Sequence, residues 1–103
     1  MTFNVDEYGS ILRVNFGVDI STGTQYMIYL ERWRGDEKIF TTNIALGTSN
    51  IVVDDETYLA NQYLEYTLQE DDLDKEGQWR VRGSTIVSSE FIKSDYVRFT
   101  VLP

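Results

Sequence analysis

Between Leu12 and Ile20 the chain alternates with a period of two: Leu12, Val14, Phe16, Val18 and Ile20 are apolar, and Arg13, Asn15, Gly17 and Asp19 stand between them. Only an extended backbone sends successive side chains to opposite faces, so the stretch predicts a strand with one wet face and one face against a core. Ser21-Thr22-Gly23-Thr24 then predicts a turn into a second strand, Gln25 to Trp33. There Tyr26, Ile28 and Leu30 share one face, and Met27, Tyr29 and Trp33 share the other.

The same reasoning extends along the chain. Arg34-Gly35-Asp36-Glu37 predicts a hairpin turn, Lys38 to Ile44 a strand, Leu46 to Asn50 a turn and Ile51 to Val53 a short strand. Trp79 and Val81 alternate with Gln78, Arg80 and Arg82, and Val97, Phe99 and Val101 alternate with Tyr96, Arg98 and Thr100. These predict two closing strands joined near Ser88-Ser89. Residues 55–69 admit two readings, because Leu59/Tyr63 and Leu64/Leu68 have helical spacing while Leu64, Tyr66 and Leu68 also alternate. The reading adopted is a short helical turn near 55–61 followed by a strand. Seven or eight short strands without crossover helices predict an all-β, immunoglobulin-like Greek-key sandwich, with a small barrel as the alternative. At 103 residues the chain is sized for a single domain, 1–103.

Composition narrows the chemistry. With no cysteine, stability must come from packing, and thiolate nucleophiles and zinc–thiolate sites are excluded. With no histidine, the usual general base and any Ser-His-Asp arrangement are excluded too. The net charge of −8 has the wrong sign for a phosphate backbone or an anionic membrane, so neither nucleic acid nor a membrane is expected as a partner. Residues 1–51 carry six acids against four bases and residues 52–103 eleven against five, so the acidity is mostly C-terminal. Met1 to Glu7 has acids where a signal peptide has bases, which leads to the expectation of synthesis in the cytoplasm without a leader.

No motif carries a reaction, and no cofactor is expected. Asp72, Asp74 and Glu76-Gly77 match the first half of a calcium loop, but position twelve of that loop is Gly83 rather than a bidentate Glu, which argues against calcium. The expected role of Asp74 is instead to cap an inter-strand turn. Eleven C-terminal acids offer a carboxylate pair for glycoside cleavage only through their abundance, and surface solubility explains them better. Arg34-Gly35-Asp36 spells an adhesion tripeptide where a hairpin needs Gly and Asp, and is read as a turn. The aromatic content of 14% suits strand cores, with a sugar-binding platform as the competing use.

Two segments carry a resemblance. Asp19-Ile20-Ser21-Thr22-Gly23-Thr24 with Ile28-Tyr29, and Asp72-Leu73-Asp74-Lys75-Glu76-Gly77-Gln78-Trp79-Arg80-Val81 with Phe99-Thr100-Val101, resemble small immunoglobulin-like domains of bacteriophage virion proteins, such as the N-terminal domain of baseplate upper proteins. Arg32 to Glu37 departs from that pattern, which often has Pro-Asp-Gly there. The resemblance implies a structural corner in which Trp79 packs under a loop and bonds its backbone. Leu73, Asp74, Gly77 and Val81 support that corner. It also implies a non-enzymatic module of a head, neck, tail or baseplate, located in the virion and contacting other virion proteins or copies of itself. The competing expectation is a module that binds a surface glycan or host receptor. Met27, Tyr29 and Trp33 are the candidate interface, because an apolar outer face on a strand must be covered by a partner or by the chain's own residues 34–50.

Overall fold

The computed structural model describes residues 1–35 and 37–103; Asp36, on which the adhesion-tripeptide reading depends, lies outside the described residues. Among the described residues there are eleven strands and no helix. They are β1 (Thr2–Asn4), β2 (Ile11–Asn15), β3 (Thr24–Arg32), β4 (Glu37–Phe40), β5 (Ile44–Leu46), β6 (Ile51–Val53), β7 (Glu56–Tyr58), β8 (Tyr63–Thr67), β9 (Gly77–Val87), β10 (Glu90–Lys93) and β11 (Val97–Leu102).

The larger sheet runs β1-β11-β9-β3-β4, with β10 also paired to β9, and a second sheet runs β2-β8-β5. Among the described residues only the β1–β11 pair is parallel. The core lies between the inner faces, where Ile28, Leu30, Trp79, Val81, Phe99 and Val101 meet Leu12, Val14, Leu64 and Tyr66. Gly83 permits the closest approach, since a Cβ there would stand 2.8 Å from Val14 Cγ2. The all-β sandwich expected from the alternation is therefore present.

Several boundaries differ from expectation, each for a local reason. The first strand stops at Asn15, because Gly17 adopts φ +72° and Asn15 Oδ1 accepts the Gly17 N–H. Val18 is consequently exposed, whereas Ile20 returns to the core. Lys38 to Ile44 is not one strand: it changes sheets through a turn at Asn43, φ +60°, so β4 and β5 belong to opposite layers. The last strand is split into β10 and β11 by Ser94, which exchanges backbone and hydroxyl bonds with Gly83. These breaks raise the strand number above the seven or eight expected.

The helical turn near 55–61 is overturned. Asp54 and Asp55, at φ +50° and +66°, form a two-residue turn that folds β6 onto β7. Leu59 is exposed and the neighbouring Tyr58 and Tyr63 are buried against each other with ring centroids 5.4 Å apart, so the helical i,i+4 spacing marks no common face. Asn15 Nδ2 donates to the Thr57 carbonyl at 3.3 Å, so this hairpin is tied to β2 by that bond and to β8 by the Tyr58–Tyr63 ring contact, while Tyr63 donates to the Ser49 carbonyl at 2.9 Å.

Candidate functional site

The residues expected to form the corner are brought together. Leu73, Trp79 and Val81 are buried, and the Trp79 indole N–H donates to the Lys75 carbonyl at 3.0 Å. Gly77 opens β9 at φ +129°, a region that L side chains avoid. Asp74 does not cap the turn through its side chain; its Oδ1 accepts from Lys38 Nζ at 3.1 Å, which holds the carboxyl below its usual range. The same ammonium donates to the carbonyls of Asp71 and Asp72, so Lys38 ties β4 across the loop.

Sequence reasoning missed the buried polar centre of this corner. Asp72 Oδ2 accepts from the Tyr66 hydroxyl at 2.6 Å and from the Gln69 N–H at 2.8 Å. Burial, and then the bond to Asp72, push the Tyr66 phenol above its ordinary range. The only signal in the sequence was the Asp-x-Asp pattern, whose first member holds the Tyr66 hydroxyl and the Gln69 N–H. Glu76 contributes its backbone carbonyl, which Arg32 Nε reaches at 2.9 Å.

The outward face of the larger sheet has a different character. Register places Ile39, Tyr29 and Arg82 in one cross-strand row, with Tyr96 following on, and Glu37, Glu31, Arg80 and Arg98 in the next. Arg80 pairs with Glu31 at 2.8 Å, and the Tyr96 ring lies 3.9 Å from the Arg80 guanidinium and 4.5 Å from that of Arg82. Tyr29 flanks Arg82 from the other side at 5.6 Å and accepts from the Ser84 hydroxyl at 3.1 Å. Met27 lies one step beyond, its sulfur 3.8 Å from the Tyr29 oxygen.

The three candidate interface residues therefore share this side of the molecule but do not form one apolar patch. Glu31 separates Tyr29 from Trp33, and Met27 and Tyr29 are half-buried among side chains of β9. Trp33 lies just past the strand end and is 68% exposed, with Ile39 at 52% and Phe91 at 55% on the margins of the same face. Charged and aromatic residues thus interleave in the middle, and bare apolar side chains surround them. A depression of about 480 Å³ beside β11 contains Glu56 and Asp95, and the Glu56 carboxylate accepts from the Tyr58 hydroxyl at 2.8 Å. Comparison of the chain with protein-family models, curated proteins and solved structures finds no match.

Proposed function

We propose that this chain is a non-enzymatic assembly module, an immunoglobulin-like structural component of a bacteriophage-type virion, which binds through the outer face of its larger sheet. The strand order supports the immunoglobulin-like part: β1 runs parallel to β11, and β2-β8-β5 faces β11-β9-β3-β4. The sequence resemblance supports the virion setting. The observation that carries the binding role is Trp33, 68% exposed beside a field of tyrosines and arginines, because Trp, Tyr and Arg are the residue types that dominate interface energetics.

Trp33→Ser tests this directly. The residue lies at a strand end and mostly in water, so the isolated domain should keep its melting temperature within a degree or two. Incorporation into purified particles, measured by mass spectrometry, should fall severalfold. Absence of the wild-type chain from particles would reject the reading. A solvent-facing tryptophan is also what a glycan- or receptor-binding module presents, and a positive glycan array with the wild-type chain would favour that alternative.

A further inference from the structure

Arg82 is the anomaly of the outer face. Its Nε is sealed from solvent and has no hydrogen-bond partner among the described residues, and no carboxylate pairs with its guanidinium there. Arg80, one row away, has Glu31. A guanidinium in this position has lost part of its hydration without the compensating anion that normally accompanies it. Its terminal nitrogens are not sealed, and Tyr29 and Tyr96 flank it at 5.6 and 4.5 Å. Aromatic neighbours on two sides hold the planar group in one orientation, so little side-chain entropy remains to be lost when an anion docks on the open edge.

We infer that Arg82 is the receptor for a carboxylate carried by a partner protein, an Asp or Glu side chain that docks between Tyr29 and Tyr96 while flanking apolar residues cover Ile39 and Phe91. The inference rests on the assembly reading and specifies the chemistry of the partner. Arg80, Arg82, Arg98 and Lys93 face Glu31 and Glu37 here, so the patch is locally positive on a chain whose net charge is −8. That polarity steers a short acidic segment to the face, while the negative remainder repels extended polyanions such as nucleic acid. The fork of the guanidinium matches the two oxygens of a carboxylate.

The test uses the whole chain, a blocked peptide with one Glu between two Phe residues, the same peptide with Gln in place of Glu, and inorganic phosphate. In a heteronuclear NMR titration the Glu peptide should shift the Arg82 side-chain N–H and the Tyr29 and Tyr96 resonances, and the Gln peptide should bind roughly tenfold more weakly or worse. Arg82→Gln should lose that preference, and Arg82→Lys, which keeps the charge without the fork, should regain only part of it. Equal binding of both peptides overturns the inference, as does phosphate binding at least as tight as the Glu peptide. Dimerisation of the free chain that vanishes in Arg82→Gln would make the occupant a second copy and would overturn it too. Melting temperatures of both variants distinguish lost binding from lost folding. Particle incorporation that falls in Trp33→Ser but not in Arg82→Gln would leave the assembly reading standing and remove the carboxylate receptor.

Discussion

At the scale of single residues, the polar atoms of the corner serve the fold. The Trp79 indole and the Tyr66 phenol each place a large ring in the core and spend their one donor on the loop that joins β8 to β9. Trp79→Ala removes both the ring and the bond, and should cost about 3–5 kcal/mol, the usual loss for a large core aromatic. Trp79→Phe keeps most of the volume and should cost less, although it leaves the Lys75 carbonyl without its indole partner. Urea unfolding separates the two variants; an unchanged midpoint for the alanine variant would mean that the corner contributes nothing. The tryptophan stood out in the sequence through the resemblance, which implies a corner there with Asp74 and Gly77. Asp72 did not, because nothing in a run of acids says which one is buried.

At the scale of elements, most departures from expectation occur where the backbone takes a left-handed conformation. Asp54 and Asp55 both have positive φ in the β6–β7 turn, a shape that favours Asn-Gly. Asp55 at φ +66° bears the usual cost of a non-glycine residue there, so Asp55→Gly should stabilise the hairpin by up to about 1 kcal/mol and raise the melting temperature by a few degrees. A fall in melting temperature would show that the Asp55 side chain contributes more than its backbone costs. The pair Asp-Asp reads as a turn only once β6 and β7 are known to flank it. In isolation, the apolar residues that follow fit a helical period equally well, which is why a helical turn was expected.

At the scale of the whole molecule, stability should be flat across neutral pH, since there is no histidine to titrate there. The limits come from the two ends of the scale. Tyr66 is shifted up by burial and then by Asp72, and Tyr58 is pushed up to about 12 by burial and then by Glu56. A raised phenol contributes stability that is fully present below its unfolded pKa of about 10 and is lost as pH rises through the folded value. Asp74 and Glu7 are shifted down, chiefly by bonds from Lys38 and Ser10. Their contribution is present above the ordinary carboxylate range and is lost as pH falls through the folded values. Melting temperature against pH should therefore form a plateau that falls away above pH 10, and Tyr66→Phe should shallow that alkaline fall. An alkaline limb identical to wild type would mean that Tyr66 does not contribute to it.

Alternation alone shows that this chain forms strands and which of their faces are apolar, because it is a local property that each pair of neighbouring residues displays. Tyr26, Ile28 and Leu30 share one face, as do Trp79 and Val81, and Val97, Phe99 and Val101; of these Ile28, Leu30, Trp79, Val81, Phe99 and Val101 are buried, while Tyr26 and Val97 are half-buried. What only the pairing of distant residues could set is that β4 and β5 lie in different layers, that Asp72 is enclosed while Glu70 and Asp71 are not, and that Arg82 sits between two tyrosines with no carboxylate paired to it among the described residues. Those outcomes depend on pairings between residues tens of positions apart, such as Arg82 with Tyr29, and register across a sheet is set by the packing of whole faces rather than by any local pattern.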